Sequence, residues 1–149
     1  RSKGMKIIIS TVVGAILFFA LGYLFYGIMF MDYFHDAYIK VQREMESLRF
    51  WALIAANVTQ ALLISIIYSK YFNRGGSPLM QGFACGFWLG LFMTVPYVFY
   101  TYFGMRINDW QALVLDGIIA GFMILVVSIV IALIQGKKKT DSQAATASA

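Results

Sequence analysis

No charged side chain occurs between Lys6 and Asp32, and none between Arg74 and Arg106. Each of these stretches is longer than the ~20 apolar residues that cross the hydrocarbon core of a bilayer. A soluble domain of 149 residues could not hide a composition that is 60% hydrophobic and only 13% charged, because one core of that size has too little interior. A water-soluble enzyme or nucleic-acid binder is therefore excluded. The net charge of +5 does not reopen nucleic acid as a partner, since the basic residues flank the apolar runs and act there as topology signals. The single cysteine, Cys85, lies inside an apolar run. An internal disulfide, a Cys-x-x-Cys redox pair and a cysteine-rich metal site are thus all excluded.

Four membrane helices are predicted, over Ile7 to Met31, Phe50 to Phe72, Leu79 to Phe103 and Trp110 to Gln135. Backbone groups in lipid must be satisfied within each segment, so an all-α, membrane-spanning four-helix bundle is the expected fold rather than a barrel. Residues 1–4 precede Met5 and read as a tag remnant, residues 5–136 as the single transmembrane domain, and residues 137–149 as a basic, disordered tail. On the side of both termini, Lys6, Lys70, Arg74, Lys137, Lys138 and Lys139 outnumber Lys40, Arg43, Arg49 and Arg106 on the other. The positive-inside rule then places both termini in the cytoplasm and His35 and Glu44 outside.

The long connection Asp32 to Arg49 carries Phe34, Tyr38, Val41, Met45 and Leu48 as one apolar stripe, with Asp36, Lys40 and Glu44 as a ladder of alternating charge. It reads as a helical outer extension of the first span or a helix lying on the interface. Asn73 to Pro78 is a helix stop followed by a helix start. The short connection Gly104 to Asp109 predicts antiparallel packing of the last two helices.

Gly82, Gly86 and Gly90 recur at every fourth residue of the third span, and Gly117 and Gly121 repeat the spacing on the fourth. Such rows let backbones approach closely, within one chain or across a homodimer. Asp116 is the one acid inside a predicted span, and intramembrane acids are functional candidates by default. Six residues separate it from Trp110, a depth of ~9 Å at 1.5 Å per residue; if the span begins later, it lies at the interface instead. Asn57, Gln60, Tyr23, Tyr26, Tyr97 and Tyr100 fall in the same outer slab, with Thr94 and the helix-bending Pro96. This slab predicts a bundle closed toward the cytoplasm and wider outside. Asp32, His35 and Asp36 share a helical spacing, but three adjacent ligands make a poor metal site, and neither metal nor cofactor is expected. Trp51, Trp110, Tyr33 and Tyr102 read as an outer aromatic belt, Tyr68 and Tyr71 as an inner one.

The stretch Gly22-Tyr-Leu-Phe-Tyr-Gly-Ile-Met-Phe30 resembles the Gly-x-x-x-Tyr-Gly-x-x-Phe segment of a bacterial family of small four-helix membrane proteins classed as a domain of unknown function. Tyr102-Phe-Gly-Met-Arg106, followed by Asp116-Gly117, is similar to that family's second signature, with Ile107 standing where the family often has proline. The resemblance implies four helices and no known activity.

The expected function is the binding of a hydrophobic or amphipathic small molecule, with membrane lipid as surroundings, in an outward-facing pocket. Its walls would be Tyr23, Tyr26, Asn57, Gln60, Tyr97, Tyr100 and Asp116. No enzymatic constellation is present. The rival readings are a proton-coupled transporter acting as a dimer, with Asp116 as the coupling residue, and a structural subunit of a larger membrane complex.

Overall fold

The computed structural model describes residues 2–39, 48–104 and 109–138, and these residues form five helices. Four are long and apolar enough to cross a membrane: α1 (Lys3–Met29), α3 (Phe50–Phe72), α4 (Pro78–Gly104) and α5 (Trp110–Gln135). Between the first two lies the short α2 (Met31–Tyr38). The spans agree with the charge-free and apolar runs to within a few residues. Lys40, Arg43, Glu44, Arg106 and the tail beyond Lys138 lie outside the described residues, as do Val41 and Met45 of the extension's apolar stripe.

Local chemistry sets the helix ends. The Ser2 hydroxyl accepts from Met5 N–H at 3.2 Å and caps α1; the Asp109 carboxylate accepts from Gln111 N–H at 3.0 Å and Ala112 N–H at 3.3 Å and caps α5, each satisfying donors that a helix start leaves free. Pro78 opens α4, where its missing N–H costs nothing. The last turns of α1, Tyr23–Met29, widen into π-helix, and Phe30 leaves helical geometry at φ −120° before α2 begins. The described part of the extension predicted after the first span, Met31–Tyr38, is therefore helical and follows α1 after a break.

Helix α5 is the centre of the bundle. Its antiparallel neighbour α4 packs along its length, α1 packs between α5 and α3, and α3 meets α5 and α4 chiefly through its last turns. The buried side chains of α3 are Ala61, Ile64, Ser65, Tyr68 and Ser69, all in the half near the termini, whereas Phe50 to Ala56 are exposed. The bundle is tight at the end that carries both termini and open at the other. Tyr68 does not join an aromatic belt; it is fully buried beside the core that Cys85, Ile64 and Val127 share. A tyrosine near the end of a span reads as interfacial from sequence, but here the widened last turns of α3 are covered by α4 and α5. Large apolar side chains on the outer surface, among them Phe92, Phe99 and Phe103, face what must be lipid or protein rather than water.

The terminal end is also closed by polar contacts. Gln135 Nε2 donates to Ser10 Oγ at 3.1 Å and to the Ser65 carbonyl at 3.0 Å, and Ser10 Oγ lies 3.1 Å from Ser65 Oγ. One buried network thereby ties α1, α3 and α5. Around it, Lys6 Nζ donates to the Gln135 carbonyl at 3.0 Å and Asn73 Nδ2 to the Gly136 carbonyl at 3.0 Å. These bonds satisfy carbonyls that the end of α5 leaves without helical partners.

Candidate functional site

Two features of the open half lie on different faces of α5. The first is Asp116. The Tyr26 hydroxyl of α1 donates to Asp116 Oδ1 at 2.5 Å, and the Tyr38 hydroxyl of α2 approaches Oδ2 at 3.4 Å. Asp116 is half-buried, so the carboxylate is neither fully interfacial nor sealed. The π-helical turns of α1 shift the register of Tyr26 relative to an ordinary helix, and Phe34 anchors α2 above it. The Phe34 ring lies 5.2 Å from that of Tyr26 and stacks on that of Tyr38 at 5.8 Å with an interplanar angle of 5°. Tyr38 lies outside the spanning segments, and burial, followed by the negative charge of Asp116, pushes its phenol above the usual tyrosine range.

The second feature is an open groove of about 510 Å³ between α4 and α5. Its floor is made by absent side chains. Gly90 and Gly121 face each other so that a Cβ on Gly90 would lie 3.4 Å from the Gly121 carbonyl oxygen, and the walls are Leu91, Val95, Phe99, Ile118 and Phe122 with Thr94 between them. The Thr94 hydroxyl is already committed to the Gly90 carbonyl at 2.7 Å. The groove thus offers dispersion contacts and little polar recognition.

The glycine rows occupy the α4–α5 contact of a single chain. A Cβ on Gly82 would lie 2.6 Å from Ala132 Cβ, one on Gly86 2.7 Å from Leu125 Cα, and one on Gly117 2.9 Å from Val98 Cγ2. Toward the terminal end the helices therefore touch at Gly82 and Gly86. Beside Gly90 and Gly121 they leave room and the groove opens, before Val98 closes on Gly117 again.

The seven residues expected to share one pocket are divided. Tyr26 and Asp116 meet directly, whereas Tyr97 is more than half exposed. Tyr23 and Tyr100 are largely exposed. Asn57 and Gln60 are half-buried on the splayed half of α3, and the hydrogen bonds to the Asp116 side chain come from Tyr26 and Tyr38 instead. None of the seven lines the α4–α5 groove. They share a depth, but depth does not fix the face of a helix on which a residue lies, and the separation of α3 from the bundle carries two of them away. Sequence reasoning missed Tyr38 as a partner of Asp116, and it missed Thr94 as a groove residue. The second had a signal, because Thr94 continues the four-residue row of Gly82, Gly86 and Gly90. Among the described residues no three His, Cys, Asp or Glu side chains are close enough to hold a metal ion.

Fold and surface define a small four-helix integral membrane protein. No protein-family model, no curated protein and no solved structure matches the chain.

Proposed function

We propose that this protein binds a hydrophobic or amphipathic small molecule within the membrane and holds its apolar part in the groove between α4 and α5. The single observation that carries the reading is the groove itself, about 510 Å³ with apolar walls, a volume in the range of small-molecule sites. Binding rather than catalysis is the role, because the one hydroxyl among the groove residues, that of Thr94, is engaged with its own helix. The proposed setting is a bacterial inner membrane, in keeping with the family resemblance, and the excess of Lys and Arg on the terminal side argues for both termini in the cytoplasm. A second reading, a proton-coupled carrier acting as a dimer, draws support from the Asp116 carboxylate beside Tyr26 in the open half.

A photoactivatable alkyl diazirine added to the protein in bilayers tests the first reading. Its crosslinks are expected to concentrate on Leu91, Val95, Ile118 and Phe122 above the level on the exposed face of α3 at Leu53 and Ile54. Equal labelling of both faces would mean that the groove retains nothing beyond ordinary lipid contact.

A further inference from the structure

We propose that Asp116, Tyr26 and Tyr38 form a binding site for an organic ammonium group, separate from the apolar groove. The carboxylate presents about four acceptor positions. Tyr26 fills one on Oδ1, and Tyr38, at 3.4 Å, engages Oδ2 only loosely. Both donors are neutral, and among the described residues no cationic nitrogen lies within 4.0 Å of the carboxylate. Two phenols reduce the cost of holding a carboxylate away from bulk water, and among the described residues no cation compensates its charge.

The surroundings match an ammonium group in a second way. The rings of Tyr26, Phe34 and Tyr38 are clustered beside the carboxylate. Aromatic faces attract cations through their quadrupole, more strongly where water is scarce. Each phenol that donates to Asp116 keeps oxygen lone pairs to accept an N–H. An anion would be repelled by the carboxylate, and a neutral alcohol would forgo both the charge-assisted bond and the cation–π contact. The chemistry therefore selects an amine in its protonated form, with an apolar substituent against the rings. Asp116 is half-buried rather than sealed.

Equilibrium dialysis of the full chain in neutral detergent at pH 7, with benzylammonium and benzyl alcohol as probes of the same ring, tests this. Benzylammonium is expected to bind at least about tenfold more tightly, the difference corresponding to one charge-assisted interaction of ~1.4 kcal/mol or more. Asp116→Asn should abolish that preference, and Tyr38→Phe, on a helix outside the spans, should reduce it several-fold even if the Asn variant does not fold. Gly121→Leu fills the groove and should leave the preference intact, so failure of the groove reading and failure of this one are distinguishable. Equal retention of the two probes by the unsubstituted protein, or a preference that survives in folded Asp116→Asn, would overturn the proposal.

Discussion

Gly86 of α4 lies so close to Leu125 of α5 that a Cβ on the glycine would stand 2.7 Å from the Leu125 Cα. Backbone cannot yield there as a side-chain tip can, so this pair sets the separation of the two helices. One turn further, a Cβ on Gly90 would meet its nearest atom at 3.4 Å, and the remainder of a larger side chain would have the groove to enter. Gly86→Leu should therefore destabilise the bundle more than Gly90→Leu, by about 1–3 kcal/mol, the usual scale of overpacking. Melting temperatures of the two variants in detergent provide the comparison; equal values would show that the close approach is elsewhere.

The buried Gln135 amide joins three helices through Ser10 and Ser65. Gln135→Leu keeps bulk but removes both bonds, and it should lower stability by about 1–2 kcal/mol, at the upper end of what side-chain hydrogen bonds contribute inside membrane proteins. Chemical unfolding in mixed micelles would measure this. A variant as stable as the parent would make the network incidental to folding.

Much of the architecture was legible in the sequence because lipid imposes it. The absence of charge between Lys6 and Asp32 and between Arg74 and Arg106 marks two of the spans, apolar runs mark the other two, and the four-residue glycine spacing locates the closest helix pair. The faces of the helices were not legible. A soluble helix reveals its buried stripe by periodicity, but a helix in lipid is apolar all round, so nothing in Trp110 to Gln135 announces that α5 is central. For the same reason Asn57 and Gln60 looked like partners of Asp116 by depth, although the nearest hydroxyls belong to Tyr26 and Tyr38. The π-helical turn at Tyr23–Met29 has no sequence signature of its own, and it is this turn that sets the register of Tyr26.

Orientation is testable with single cysteines, because the native Cys85 is buried. A membrane-impermeant maleimide applied to intact cells should label His35→Cys, exposed on α2, and should not label Ser77→Cys, exposed in the opposite connection. The reverse pattern would invert the proposed topology.

The Tyr38 phenol is held above its ordinary range by burial and by the Asp116 charge. Its folded-state affinity for the proton exceeds that of the unfolded chain, so its contribution is complete below the unfolded value near 10 and is lost as pH rises beyond it. Stability should fall above about pH 10, and Tyr38→Phe should fall less steeply. Thermal unfolding between neutral and strongly alkaline pH reads this difference, and parallel curves for the two proteins would exclude Tyr38 as a contributor.

Native mass spectrometry of gently extracted protein is the most direct measurement of the proposed function, since it weighs the subunit and whatever it retains. Gly121 borders the groove, and a Cβ there would meet Thr94 only at an ordinary 3.8 Å; Gly121→Leu should fill the space without forcing the helices apart. The unsubstituted protein is expected to carry a bound apolar or amphipathic molecule that Gly121→Leu has lost while remaining folded. Identical bound mass in both proteins, or none in either, would contradict the binding role assigned to the α4–α5 groove.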